Sequence, residues 1–217
     1  MKIKLVTISL AFIIFFSSIV GRGIIEDDWI NKGKALIDVE SYPEAVDCFD
    51  KAISLNSSSS EAWHGKGFAL NGEAYDKDDA HEYTEARGYY EEAIKCFEEA
   101  IQLDPTNLDA YMDMADSENR LDNYEEAMEI INKAIKINPD NADVINVKGT
   151  ILYRMGEYDE AIKLFREATT MNPKCADAWL NICKFLKEQK KGDPDAAAEA
   201  DEACQKAAAI YNSNVGH

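Results

Sequence analysis

Acid–base or metal chemistry needs imidazole, thiolate or carboxylate groups brought together in a cleft, and this sequence offers only His64, His81 and His217 as imidazoles. His64 follows Trp63 in a stretch of helical periodicity, where a groove-lining or partly packed ring is expected rather than a general base. His81 falls among six acids and two bases in residues 73–87, and carboxylates beside an imidazole are metal-ligand types. Asp76-Lys77-Asp78-Asp79 nevertheless lacks the glycine and the ligand spacing of an EF-hand loop, so a solvated acidic protrusion is expected. The five cysteines, Cys48, Cys96, Cys175, Cys183 and Cys204, contain no C-x2-C pair, which disfavours zinc. Asn56-Ser57-Ser58 matches a glycosylation sequon, which matters only in a host that glycosylates. These residues predict no catalytic site, no cofactor and no metal, and the chain is not expected to be an enzyme.

The elements that would position such residues begin after an N-terminal segment of different character. Residues 1–23 hold Lys2, Lys4 and Arg22 and no acid, leaving 20 Lys and Arg against 41 Asp and Glu in the remainder, a net −21. That excess argues against nucleic acid, whose phosphates need clustered cations, and against adsorption of the folded part on an anionic membrane. Lys2 and Lys4 precede an apolar run from Leu5 to Val20, followed by Gly21 and Gly23. This is the layout of a secretory signal peptide, with cleavage after Gly21 or Gly23. An uncleaved membrane anchor is the competing reading, since about 16 apolar residues lie near the short end of the spanning range. Either way residues 24–217 are expected outside the cytoplasm.

Downstream, four segments align in register: YPEAVDCFDKAISLN from Tyr42, YEEAIKCFEEAIQLDP from Tyr90, YEEAMEIINKAIKINP from Tyr124 and YDEAIKLFREATTMNP from Tyr158. Ala93, Ala127 and Ala161 are each 34 residues apart, and Ala45 precedes Ala93 by 48, one period plus 14. Upstream of each segment runs a second pattern: Trp29–Gly33–Leu36, Trp63–Gly67–Leu70, Tyr111–Ala115 and Ile145–Gly149–Leu152. Both patterns put apolar or small residues at i, i+4 and i+7, one face of a helix. Pro105, Pro139 and Pro173 then close each unit where the chain must turn.

These motifs resemble the tetratricopeptide repeat (TPR) family, with the A-x3-F element carried by Ala45/Phe49, Ala93/Phe97, Ala127/Ile131 and Ala161/Phe165. The resemblance implies an all-α fold, a right-handed α-solenoid of stacked antiparallel helix pairs. The repeats are expected at 26–59, 60–107, 108–141 and 142–175, with a degenerate capping fifth at 176–211. In the second repeat about 14 extra residues, around 72–88, are rich in helix formers and predict extended helices around a displaced turn. Gly33, Gly67, Ala115 and Gly149 are expected to face Ala45, Ala93, Ala127 and Ala161 where paired helices approach most closely. The acids Asp27, Glu61, Asp109, Asp143 and Asp177 are expected to complement first-helix N-termini.

In that family the concave surface, lined mainly by first helices, binds peptide segments of partner proteins. The positions expected to project into it are Asn31, Lys34, His64, Phe68, Asn71, Met112, Asp116, Asn119, Asn146, Thr150, Tyr153 and Lys184. Asparagines can hydrogen-bond an extended backbone whatever its sequence, and Phe68, Met112 and Tyr153 supply apolar anchors. The lysine, asparagine and arginine set of chaperone-binding members is absent, with Ile30, Asp113 and Asp116 in its places. Cys48 and Cys96 occupy equivalent places in successive repeats, about 8–10 Å apart and beyond disulfide reach. Cys183 and Cys204 fall on facing sides of the last helix pair, where a disulfide and two buried thiols are both open. The sequence thus predicts an exported, non-catalytic adaptor for a peptide or protein partner, with the net charge favouring a cationic one. The alternative is a structural, self-associating envelope scaffold without a groove ligand.

Overall fold

The computed structural model describes residues 25–189 and 193–215, and the expected signal or anchor segment lies outside them. Among the described residues all regular structure is helical. Helix α1 spans 25–37, followed by α2 (Tyr42–Leu55), α3 (Ser60–Asp79), α4 (Tyr83–Leu103) and α5 (Leu108–Arg120). Then come α6 (Tyr124–Ile137), α7 (Ala142–Arg154), α8 (Tyr158–Met171), α9 (Ala176–Gln189) and α10 (Pro194–Val215). The chain divides into two compact units, residues 1–110 and 111–217.

In the first unit α2 packs on α3 and α3 on α4. Ile30, Ala45, Phe49, Ala52, Ala62 and Ala69 form its buried centre, with Trp29, Leu36 and Ile37 against them. The small residues of the first helices face rings: a Cβ on Gly33 would lie 2.7 Å from Phe49 Cζ, and one on Gly67 2.6 Å from Phe97 Cε1. The second unit repeats the arrangement, with a Gly149 Cβ 2.7 Å from Phe165 Cε1. The close approach expected of glycine toward alanine is thus chiefly an approach to the phenylalanine one turn further on. In this unit α6 packs on α7, α7 on α8 and α9, and α9 on α10.

The α1–α2, α3–α4, α5–α6 and α7–α8 turns close in the same way. Glu40, His81, Asp122 and Gly156 all take positive φ, at 57°, 63°, 63° and 86°. The next residue's N–H reaches back five positions, as in Ser41 N to Leu36 O at 2.9 Å and Glu157 N to Leu152 O at 2.9 Å. This is the Schellman closure, in which a left-handed residue satisfies carbonyls that the helix leaves open. Second helices also end alike: the side chains of Asn56, Asp104, Asn138 and Asn172 accept from the N–H two residues on, at 3.0–3.2 Å. The first helices that follow start from Ser59, Asn107 and Asn141, which accept from the N–H three residues on at 3.0–3.3 Å. Side-chain oxygens here satisfy the otherwise orphaned N-terminal donors.

The extra residues of the second repeat lengthen two helices, giving α3 20 residues and α4 21 where α2, α6 and α8 have 14. Ala74 and Ala86 are buried in this extension, and Tyr90, just beyond it, is buried too and donates its hydroxyl to Asp78 Oδ2 at 2.9 Å. Lys77 bridges Glu82 and Glu85 at 2.6 and 2.8 Å, and these carboxylates raise its pKa. Near the C-terminus, Cys183 of α9 and Cys204 of α10 are joined by a disulfide, with Cα atoms 5.3 Å apart. Cys48, Cys96 and Cys175 are buried free thiols.

Candidate interaction surface

Residues singled out for chemistry have structural places. His81 is the left-handed turn residue of the α3–α4 pair, its Nδ1 2.9 Å from the exposed Tyr83 hydroxyl. His64 packs its ring 5.8 Å from Phe97 and 6.4 Å from Phe68. Among the described residues no group of three or more His, Cys, Asp or Glu is placed to hold a metal ion. Cys175 precedes α9, where Asn141 precedes α7, and its thiol donates to Asp143 Oδ1 at 3.2 Å. Burial, more than its acidic neighbours, pushes that thiol up to about 12, so it is no nucleophile near neutral pH. Asn56 of the sequon ends α2, with Oδ1 accepting from Ser58 N and Nδ2 donating to Glu26 Oε2 at 2.8 Å. A glycan on that nitrogen would displace Glu26, itself buried.

In the first unit, Asn31 and Lys34 of α1 are exposed, with Lys34 Nζ 2.5 Å from Glu61 Oε1. On α3 His64 is half-buried and Phe68 is 42% exposed, so this face keeps an apolar ring in water. Asn71 is 3% exposed, which corrects the expectation of an outward-facing amide. In the second unit Met112 and Asp116 are half-buried, and Asp116 lies 3.7 Å from Arg120. Asn119 and Asn146 are 1% and 7% exposed, so these amides do not stand in open solvent either. Asn119 Oδ1 has no hydrogen-bond partner among the described atoms.

Four of the anticipated residues do come together, on the α7–α9 face of the second unit. Asn181 Nδ2 donates to Asn146 Oδ1 at 2.9 Å and to Thr150 Oγ1 at 3.3 Å. Thr150 Oγ1 in turn donates to Asn146 O at 3.2 Å. One turn along, the Tyr153 hydroxyl donates to Glu188 Oε2 and lies 3.5 Å from Gln189 Nε2. Its ring packs edge-on to Tyr158 and Phe185, at 5.3 and 6.2 Å. Burial, then the Glu188 carboxylate, raise the Tyr153 pKa, keeping it a neutral donor. Between these groups lies a small pocket of about 80 Å³, floored by Phe165 and Phe185 and rimmed by Thr150, Lys184 and Glu188. An apolar floor under a rim of amide, hydroxyl, ammonium and carboxylate suits one side chain of an extended segment, with hydrogen bonds to its backbone.

Asn181, Phe185, Glu188 and Gln189 were not anticipated. Asn146 meets Asn181 and Tyr153 meets Glu188, each 35 residues on. That is one position beyond the 34-residue period, so polar residues paired at period plus one carry the missing signal.

Three tetratricopeptide-repeat family models match the sequence, at residues 29–59, 85–151 and 146–214, and between them take in well over half of it. No curated protein sequence matches it significantly. Among solved structures, YrrB, a TPR protein with an unusual peptide-binding site, is 25% identical with 84% of each chain covered and a TM-score of 0.49. MamA (41-end) from Desulfovibrio magneticus RS-1 is 16% identical, covering 87% of this chain and 96% of that one, with a TM-score of 0.57. A chain of the APC/C hetero-tetramer Cut9–Hcn1 is 18% identical, with a TM-score of 0.66, covering 88% of this chain and 36% of that one. The last two likenesses show the fold, an all-α TPR solenoid. With the repeated glycine–phenylalanine contacts and the common turn and cap positions, the family matches make this chain a tetratricopeptide-repeat protein, built from modules of protein–protein interaction.

Proposed function

We propose that the protein is an exported adaptor that holds an extended segment of a partner protein against the α7–α9 face. The observation that carries this reading is the pocket lined by Tyr153, Lys184 and Phe185 beside the Asn146–Thr150–Asn181 hydrogen-bond array. The aromatic floor supplies desolvation energy, and the polar rim fixes the direction of a bound backbone. Phe68, 42% exposed on α3, offers a second apolar anchor in the first unit. Export is the reading of Lys2, Lys4 and the Leu5–Val20 run, and the net −21 beyond residue 23 favours a cationic partner. No helix of the described residues is long and apolar enough to cross a membrane.

Affinity capture from envelope extract with the full-length chain tests the reading, comparing wild type with Phe68→Ala/Tyr153→Ala. The double variant is expected to lose the partner at unchanged helical circular dichroism, since truncating interface anchors costs 2 kcal/mol or more each, roughly 30-fold in affinity. Equal recovery by both proteins would remove these rings from the interface. Light scattering on the same samples separates the scaffold reading: an oligomer that the double variant disrupts would assign the face to a second copy of the chain.

A further inference from the structure

Within the terminal helix pair, the positions where three of the other four hairpins bring a glycine against a phenylalanine, and α5–α6 has Ala115 and Ile131, hold the two bonded cysteines. Cys183 follows Gly149 by one 34-residue period, and Cys204 follows Ala200 as Phe165 follows Ala161. Gly149 has room for no Cβ beside Phe165, whereas Cys183 and Cys204 meet there through a covalent bond. The substitution removes the largest side chain that a second helix ordinarily buries. Helix α8 buries Ile162 and Phe165, while the buried side chains of α10 are Ala196, Ala200, Ala203 and Ala207.

The remaining ties of α10 are peripheral. Arg166 meets Glu199 at 2.8 Å and Lys187 meets Asp201 at 3.5 Å, with all four side chains about half exposed or more. Lys206 lies 4.2 Å over the Trp179 ring, and the exposed Tyr211 donates to Asp177. Exposed ion pairs of this kind hold a helix weakly, and a methyl group buries far less apolar area than a phenylalanine ring. An open cleft of about 350 Å³ runs along this junction, lined by Arg166 and Thr170 of α8, Trp179 and Ile182 of α9, and Glu202 and Lys206 of α10. The backbone of α10 lies against α9, and its Ala196, Ala200 and Ala203 share one buried cluster with Phe165 of α8 and with Ile182, Phe185 and Leu186 of α9.

We infer that the Cys183–Cys204 disulfide is a redox latch: it keeps α10 docked when oxidised, and its reduction frees α10 and uncovers the Ile182 and Leu186 face of α9. The reaction is thiol–disulfide exchange. A small-molecule disulfide such as oxidised glutathione accepts two electrons and two protons from the paired thiols and leaves as two thiols. A dithiol reductant reverses the step and becomes a disulfide itself. The inference does not rest on the partner-binding reading: it uses the Cys183–Cys204 bond between α9 and α10, not the Asn146–Thr150–Asn181 array.

Hydrogen exchange of the full chain, with and without dithiothreitol, tests it, alongside a count of titratable thiols in denaturant. Three of the five cysteines are expected to titrate before reduction and all five after. Exchange across residues 194–213 should accelerate about a hundredfold on reduction, while α7 and α8 keep their protection. Cys204→Ser should behave as the reduced chain in both conditions. Cys183→Gly/Cys204→Phe, which restores the pair used by three of the other hairpins, should protect α10 in both. Five thiols before reduction would overturn the latch. So would unchanged protection of α10 in the fully reduced chain, or in Cys204→Ser.

Discussion

Gly67 and Gly88 are both helical glycines, and their surroundings give them opposite roles. A methyl on Gly67 would meet Phe97 Cε1 at 2.6 Å, and the Phe97 ring is fully buried, with the His64 ring 5.8 Å away. Gly67→Ala is therefore expected to cost about 1–3 kcal/mol by overpacking. Gly88 lies on the exposed side of α4, with nothing within 4 Å of an added Cβ. There alanine loses less backbone entropy on folding, so Gly88→Ala should stabilise by about 0.5–1 kcal/mol. Urea midpoints at constant m-value measure both, and a neutral Gly67→Ala would mean that the helix pair separates without penalty. The three free thiols belong to the same scale. Cys96, pushed up to about 11 chiefly by burial, and Cys175, to about 12, fill space and do not react.

Turns are where one element hands over to the next, and there the side chain matters less than the backbone angle. Glu40 and Gly156 close equivalent turns at φ 57° and 86°, but only glycine enters that region without a clash between Cβ and carbonyl. Glu40→Gly is expected to stabilise by about 1 kcal/mol and Gly156→Ala to cost about as much. Thermal unfolding followed by circular dichroism reads both, and equal effects of one sign would refute a common turn geometry. The same comparison shows what the sequence made legible. Helix pairs followed from Ala45/Phe49 and its later copies, because 3.6-residue periodicity and a 34-residue repeat are properties of the chain alone. For His81 the acidic neighbours without EF-hand spacing predict a solvated protrusion, whereas its place as the left-handed residue of the α3–α4 turn is set by backbone angle, which those neighbours do not reveal. Asn146 is expected from its own repeat to stand in the groove, yet it is 7% exposed and its amide oxygen accepts from Asn181, 35 residues away. How deeply a position is covered is decided by a side chain of the next repeat, which periodicity within one repeat does not contain.

Across the whole molecule, salt acts on two opposed electrostatic effects. Ion pairs such as Lys34–Glu61, Lys163–Glu160 and Lys187–Asp201 have both side chains more than half exposed, so they hold weakly and are weakened further by screening. Against them stands the repulsion of the excess acids, net −21 beyond residue 23. Even with every cation paired to one acid, 21 carboxylates of that stretch would remain without one. At about 10 mM salt the Debye length of ~30 Å lets such charges repel across several helices, and at about 150 mM, near 8 Å, they act only on neighbours. Repulsion, with more and longer-range terms, is the effect that salt diminishes most. Raising sodium chloride over this range should therefore raise the Tm by a few degrees. A Tm that falls instead would mean that the exposed pairs cooperate as a network and outweigh the net charge.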